Sequence, residues 1–206
     1  MIGIVNLNIG NLRSIANAIY EVGYDFLFID DPSQIDRVSH LIIPGVGHYQ
    51  TAMRNCINLG FAEPIKQFSS SGKPLLGICL GMQIFATYGY EGGEKTEGLN
   101  LIAGEVIKFA DSLHLRLPHV GWNNVHYLSR HPVINDIKDN CDFYFVHSYH
   151  YRCANKDDEC GLTHYGENFP SIITHNNIIG FQFHPEKSQK NCLQLLENFC
   201  KWDGLC

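Results

Sequence analysis

Between Lys73 and Tyr88 the chain changes texture within one residue: Pro74-Leu-Leu-Gly-Ile78 is a short apolar run, Cys79 follows, and Leu80 to Tyr88 takes up a helix-compatible pattern. The first run, bounded by Gly72-Lys73-Pro74, predicts a buried strand, and the second predicts a helix. A strand that passes at once into a helix needs a sharp turn, and Cys79 stands on it. Gly77 and Gly81, two residues to either side, complete Gly-x-Cys-x-Gly. This is the cysteine version of the nucleophile elbow, in which small neighbours let a strained turn push one reactive side chain out of the sheet. The N-terminal end of the following helix favours thiolate over thiol. With 19 glycines and 8 cysteines in 206 residues, about 0.07 such matches are expected by chance. The spacing by itself therefore leaves Cys79 open between a nucleophile and a small buried hydrophobe.

The flanking chain repeats the alternation. Ile2 to Leu7 predicts a strand and is followed by a helix with Leu12, Ile15, Ala16 and Ile19 on one face. Phe26–Ile29 and Leu41–Ile43 predict two more strands, the second ended by Pro44, with helices at about Tyr49 to Leu59 and Glu63 to Ser70. Strands separated by helices imply parallel crossovers and coverage on both faces. From Leu101 to Val146 the helical period fades into strand-like pieces (Glu105 to Phe109, Asn124 to Tyr127, Phe143 to Val146), and Ile172 to Thr174 and Ile178 to Phe183 predict a hairpin around His175-Asn-Asn177. A helix from Ser188 to Lys201 closes the chain, with Leu193, Leu196 and Cys200 inward. The fold class expected is α/β: a doubly wound, mostly parallel central sheet flanked by helices, with an antiparallel extension in the second half, in one domain over residues 1–206.

Composition narrows the partners. A net charge of −6 with no Lys/Arg cluster argues against nucleic acid and anionic membrane surfaces. Met1 to Gly10 lacks a basic leader and a long apolar core, and no apolar run approaches the ~20 residues that span a bilayer, so a cytoplasmic location is expected. None of the eight cysteines forms Cys-x-x-Cys, which suits reduced thiols better than a disulfide framework. Cys153 and Cys160 with His164 lack the short spacing of structural zinc sites. Neither a metal nor a cofactor is expected.

Ligand sites in such sheets form at the carboxyl ends of strands, and two further strand ends carry chemistry. Pro44-Gly-Val-Gly47 could turn backbone amides toward an anion or oxyanion, or be a plain tight turn. His184-Pro-Glu186 has the parts of a base and its orienting carboxylate.

Together, Gly77-Ile-Cys-Leu-Gly-Met-Gln83, Pro44-Gly-Val-Gly47 and Phe181-Gln-Phe-His-Pro-Glu-Lys-Ser188 resemble the class I (triad) glutamine amidotransferases, in that family's order. More narrowly, Gly10-Asn-Leu-Arg-Ser14, Leu117-Pro-His-Val-Gly-Trp-Asn123 and Tyr144-Phe-Val-His-Ser-Tyr149 resemble the glutaminase subunits of imidazole glycerol phosphate synthases. The resemblance covers essentially the whole chain. It implies a Cys79–His184–Glu186 triad that hydrolyses L-glutamine through a thioester, with the backbone amides of Val46 and Leu80 facing the oxyanion. Gly45, Gly47, Gln83, Glu91, Ser148 and Tyr149 match positions that hold glutamine. It also implies a docked (β/α)₈ synthase (cyclase) subunit that receives the ammonia, forming a heterodimer, with Asn11, Arg116, Pro118, His119, Trp122, Tyr144 and Lys187 toward that partner or the ammonia path. The chain departs from the family at Asn6-Leu-Asn8, where an acidic residue, an aromatic and a glycine are usual, and at Val120, where methionine is common. Two alternatives stay open: a paralogous subunit feeding the amidination of a surface sugar, and a non-catalytic scaffold of the same fold.

Overall fold

The computed structural model describes residues 1–187 and 190–205. In chain order the strands are β1 (Ile2–Val5), β2 (Phe26–Ile29), β3 (His40–Gly45), β4 (Leu75–Cys79), β5 (Tyr88–Gly89), β6 (Thr96–Glu97) and β7 (Gly104–Lys108). They continue with β8 (His119–Tyr127), β9 (Cys141–His147), β10 (Tyr149–Cys153), β11 (Glu159–Tyr165), β12 (Glu167–His175) and β13 (Ile178–Phe181). The α-helices are α1 (Leu12–Glu21), α2 (Tyr49–Asn58), α3 (Ala62–Ser70), α4 (Leu80–Gln83) and α5 (Lys190–Lys201). The expected start of the last helix at Ser188 lies outside the described residues.

Nine strands form one sheet in the order β2-β1-β3-β4-β13-β12-β11-β8-β9. The first five run parallel, and from the β13–β12 hairpin onward every pairing is antiparallel. The antiparallel extension is thus continuous with the parallel half. A second sheet, β10-β7-β5-β6, lies beside it. The period-two alternation of the central strands sends side chains to two separate cores. Ile42 and Leu76 pack with Ile15 and Ile19 of α1 and with Leu196 and Phe199 of α5. Their neighbours Leu41 and Leu75 pack with Met53 and Cys56 of α2 and with Ile65 and Phe68 of α3. Central strands with both faces covered have to be apolar, and β1, β4 and β3 from Leu41 onward are. No helix among the described residues is long and apolar enough to cross a membrane.

Strands β5, β6, β10 and β11 are not among those expected and β13 ends at Phe181 instead of Phe183, while two further differences bear on the site. Strand β3 runs through Pro44 to Gly45 instead of stopping at Ile43. Leu41 donates its N–H to Pro74 at the head of β4, so by alternation the absent N–H of Pro44 falls on the side of β1, whose pairing has already ended at Ile4 with Ile42. Helix α4 stops at Gln83, not Tyr88. The carbonyls of Ile84, Phe85, Ala86 and Thr87 accept from the N–H groups of Leu99, Leu101, Asn100 and Gly98 rather than from a following helical turn. The apolar pattern there reports burial of Ile84, Phe85 and Ala86, not helix. A helix of one turn carries little macrodipole, so the field expected at Cys79 is correspondingly small.

The elbow itself forms. Cys79 has φ +52° and ψ −110°, a region that costs a non-glycine residue on the order of 1–3 kcal/mol and persists only where surrounding packing enforces it. The enforcement is backbone against backbone. A Cβ on Gly81 would overlap the carbonyl oxygen of Ile43, and one on Gly77 would lie 2.6 Å from the Cα of Met82. Because the opposing atoms are main chain in the middle of the sheet, Gly81→Ala is expected to destabilise the protein by at least about 3 kcal/mol, measured as a lower urea midpoint. An unchanged midpoint would show that this approach is dispensable.

Candidate active site

Parallel neighbours β4 and β13 pair Phe181 with Ile78, so the residues just beyond their carboxyl ends converge. Cys79 ends β4, and His184 follows β13 by three residues, leading into a 3₁₀ turn over Pro185–Lys187 that carries Glu186. The N–H of His184 donates to the carbonyl of Tyr144 on β9 (2.9 Å), which fixes where the ring emerges. Its Nδ1 lies 2.8 Å from Oε1 of Glu186. A carboxylate accepts, so Nδ1 carries the proton and Nε2 is the nitrogen left for chemistry. Nε2 is buried without a hydrogen bond of full geometry, yet the ring is within electrostatic reach of the Cys79 sulfur. Burial pushes the imidazole down, but attraction to Cys79 and to Glu186 overrides it and holds His184 well above the ordinary histidine value.

Above the elbow a small cavity of about 120 Å³ is lined by Val46, Gly47, Cys79, Leu80, Gln83 and Glu91 on one side and by Val146 to Tyr149 on the other. Cys79 is the one thiol in it. Elsewhere, burial pushes Cys56, Cys192 and Cys200 up to about 12, so they sit as neutral core side chains. Leu80 opens α4, so its N–H has no acceptor within the helix. Val46 departs from expectation: its N–H donates to the carbonyl of Ile9 (3.3 Å) instead of facing the cavity. Gly45 and Gly47 flank that peptide, and Gly47 has φ +109°. Glu91 uses Oε2 to accept the N–H of Tyr49 at the start of α2 (2.7 Å), which leaves Oε1 for the cavity. Gln83 points its Nε2 at the carbonyl of Tyr149 (2.9 Å) and at Oε1 of Gln182 (3.0 Å), so its own oxygen is the atom left to accept from a ligand.

The residues expected toward a partner divide. Trp122 and Val120 are exposed on β8, Tyr144 meets Trp122 edge to face at 5.8 Å, and the Lys187 ammonium lies 4.6 Å from the Tyr144 ring centroid. Asn11, Arg116 and Pro118 are exposed. His119 is not: it is 4% exposed, stacked on Tyr165 and Phe145. The alternation of β8 turns it to the opposite face from Val120 and Trp122. The departure at Asn6 and Asn8 is absorbed locally. Asn8 takes φ +57°, which asparagine tolerates, and Asn6 accepts from the Asn8 N–H while donating to Asp30. Asp30 thereby places a carboxylate beside the end of β1.

Sequence reasoning assigned nothing to two residues that touch this site. Gln182 is fully buried with Nε2 3.7 Å from the Cys79 sulfur, and His147 lines the cavity with its ring inside. The signal was present in both cases: His147 shares the register of Phe143 and Phe145, and Gln182 stands between Phe181 and Phe183 in a segment buried on both faces. Among the described residues no group of three or more His, Cys, Asp or Glu side chains is placed to hold a metal ion.

Comparison with known proteins bears on the family and the fold. The imidazole glycerol phosphate synthase subunit HisH of Sulfurimonas denitrificans is 44% identical, with 100% of each chain covered. Subunit HisH 1 of Campylobacter jejuni is 43% identical over 98% of this chain and 100% of its own. Subunit HisH of Desulfitobacterium hafniense is 41% identical over 98% and 94%. Among solved structures, PurLQS from Thermotoga maritima has a TM-score of 0.75 at 13% identity, covering 97% of each chain. A glutamine amidotransferase has 0.74 at 17%, covering 97% and 98%. Both share the fold. The family described as glutamine amidotransferase class-I matches residues 4–202, and this chain belongs to it.

Proposed function

We propose that this chain, as one domain over residues 1–206, is the glutaminase subunit of an imidazole glycerol phosphate synthase, hydrolysing L-glutamine and passing the ammonia to a cyclase subunit. The observation that carries the reading is Cys79 held on a strained elbow beside the His184–Glu186 pair, in a chain whose full-length relatives bear that subunit's name. Cys79 passes its thiol proton to Nε2 of His184, the sulfur attacks the side-chain amide carbon of glutamine, and the carbonyl electrons move onto oxygen. His184 then gives its Nε2 proton to the nitrogen, the C–N bond breaks, and ammonia leaves behind a γ-glutamyl thioester. A water that loses its proton to His184 attacks that thioester, releasing glutamate and regenerating the thiol. Glu186 keeps the ring oriented and stabilises its cation. The oxygen of Gln83 and the free oxygen of Glu91 accept from the α-ammonium, and backbone at Ser148 and Tyr149 completes the binding of the α-groups.

Ammonia at neutral pH is mostly ammonium, a poor nucleophile, so its delivery to a synthesis requires a sealed path into a partner. The Val120, Trp122, Tyr144 and Lys187 surface is the face offered to a (β/α)₈ cyclase, which makes imidazole glycerol phosphate and the aminoimidazole carboxamide ribotide in histidine biosynthesis. Co-purification with a sugar synthetase instead of the cyclase would replace this reading with the sugar-modifying one.

Glutamate release with the cyclase present is expected to vanish in Cys79→Ala, and equal rates in the two proteins would remove the enzyme hypothesis. Of the two proposed oxyanion donors, the Leu80 N–H opens α4 without an acceptor in that helix, and the Val46 N–H is tied to Ile9. One such donor is typically worth about 10²–10³ in kcat, so the isolated chain is expected to turn over glutamine at least about 100-fold more slowly than the complex. Full turnover by the chain alone would contradict this.

The raised His184 value sets the pH behaviour. A group held above its unfolded value adds stability that is complete below the ordinary histidine range and is lost as pH rises through the folded value. The imidazolium therefore persists through neutrality, and the alkaline limb of kcat/KM should lie well above the ordinary imidazole range. In Glu186→Gln, which removes a charge that favours the cation, that limb should move to lower pH. An unmoved limb would mean that Glu186 does not tune the base.

A further inference from the structure

We propose that Gln182 is a further catalytic residue of this site, whose buried side-chain amide donates a hydrogen bond to the Cys79 sulfur and supports it as the attacking nucleophile. The inference rests on the glutaminase reading for what the sulfur attacks, but not for the contact itself. Gln182 is the residue after β13 and is fully buried, and its Nε2 lies 3.7 Å from Sγ. An amide can be turned either way round, so which end faces the sulfur has to be argued from its partners.

The network settles it. The carbonyl of Tyr149 can only accept, so the atom of Gln83 that lies 2.9 Å from it must be the amide nitrogen. That same nitrogen is 3.0 Å from the other end of Gln182, which must then be the oxygen. Nε2 of Gln182 is thereby left pointing at Sγ. A thiolate gains most from such a donor where water is excluded, and both partners here are buried.

The same carbonyl is fixed from its other side. Nδ1 of His147 lies 2.9 Å from it and so carries a proton. Burial pushes His147 down to about 3, so the ring is neutral and its Nε2 accepts from Nδ1–H of His119 at 3.0 Å. Nε2 of His119 in turn accepts from the Asn123 amide at 3.3 Å. Each donor in this chain meets an acceptor in only one proton arrangement. His147 and His119 are accordingly positioning residues, which anchor the orientation of Gln182 from strands β9 and β8.

The test is the rate at which iodoacetamide alkylates Cys79 at neutral pH, followed by mass spectrometry of the peptide that contains it, in the unsubstituted protein and in Gln182→Met. Methionine has a similar volume and no donor. The alkylation rate is expected to fall about tenfold, in line with a lost hydrogen bond to a charged acceptor, and kcat for glutamine in the cyclase complex should fall with it while KM stays within about twofold. An unchanged alkylation rate in folded Gln182→Met overturns the proposal. Alkylation requires no glutamine, so an error in the glutaminase reading would leave that result standing.

Should Gln182→Met fail to fold, the unsubstituted protein decides. The Gln182 side-chain amide protons should shift in NMR spectra as Cys79 ionises and stay still over the same range in Cys79→Ala, a control that separates the nearby titration of His184. An amide insensitive to Cys79 overturns the proposal as firmly.

Discussion

The contact between Gly81 and the carbonyl of Ile43 is the constraint on which the site depends. It is a main-chain approach across the centre of a parallel sheet, and it allows a residue with a side chain to remain at φ +52°. The cost of that conformation is offset by the two cores that clamp β3 and β4 from both faces. The Cys79 thiol is therefore held where both faces of the sheet are packed, while the peptide at Val46, which on the proposed function has to turn, sits just beyond the end of β3 between two glycines.

The remaining groups of the site arrive by a second device. Strand β13 enters the sheet beside β4, and the antiparallel extension brings β9 and the Val146 to Tyr149 segment over the cavity. Neutral buried imidazoles, rather than charges, fill the space behind that segment. Burial pushes His119 down to about 4, and His147 lower still. Charged groups there would carry a large desolvation cost, whereas neutral rings with fixed tautomers supply directional hydrogen bonds. Beside the sulfur the imidazole of His184 is coupled to Cys79 and backed by Glu186, and Glu91 lines the same cavity.

Much of this was legible in the chain. The run Pro74 to Gly81 specifies strand, elbow and close approach, because each is a short-range property of glycine spacing and apolar length. His184-Pro-Glu186 was legible for the same reason, as a base and its carboxylate separated by a rigid residue. What escaped depends on distant partners. The helix expected through Tyr88 fails because Gly98 to Leu101 takes its carbonyls, and no local pattern announces that competition. The orientation of the Val46 amide depends on Ile9, and the inward turn of His119 depends on the register of β8 against β9. Gln182 was visible as a polar residue between two phenylalanines, but its role follows only from the orientation of Gln83.

Tyr144 presents its ring to solvent beside Trp122 and Lys187, and its peptide carbonyl holds the main chain of His184. Recognition surface and proton carrier thus hang from the same residue. On the proposed function, a partner that shifts the main chain of β9 at Tyr144 would also re-aim the imidazole, so docking and proton transfer are mechanically joined through one peptide.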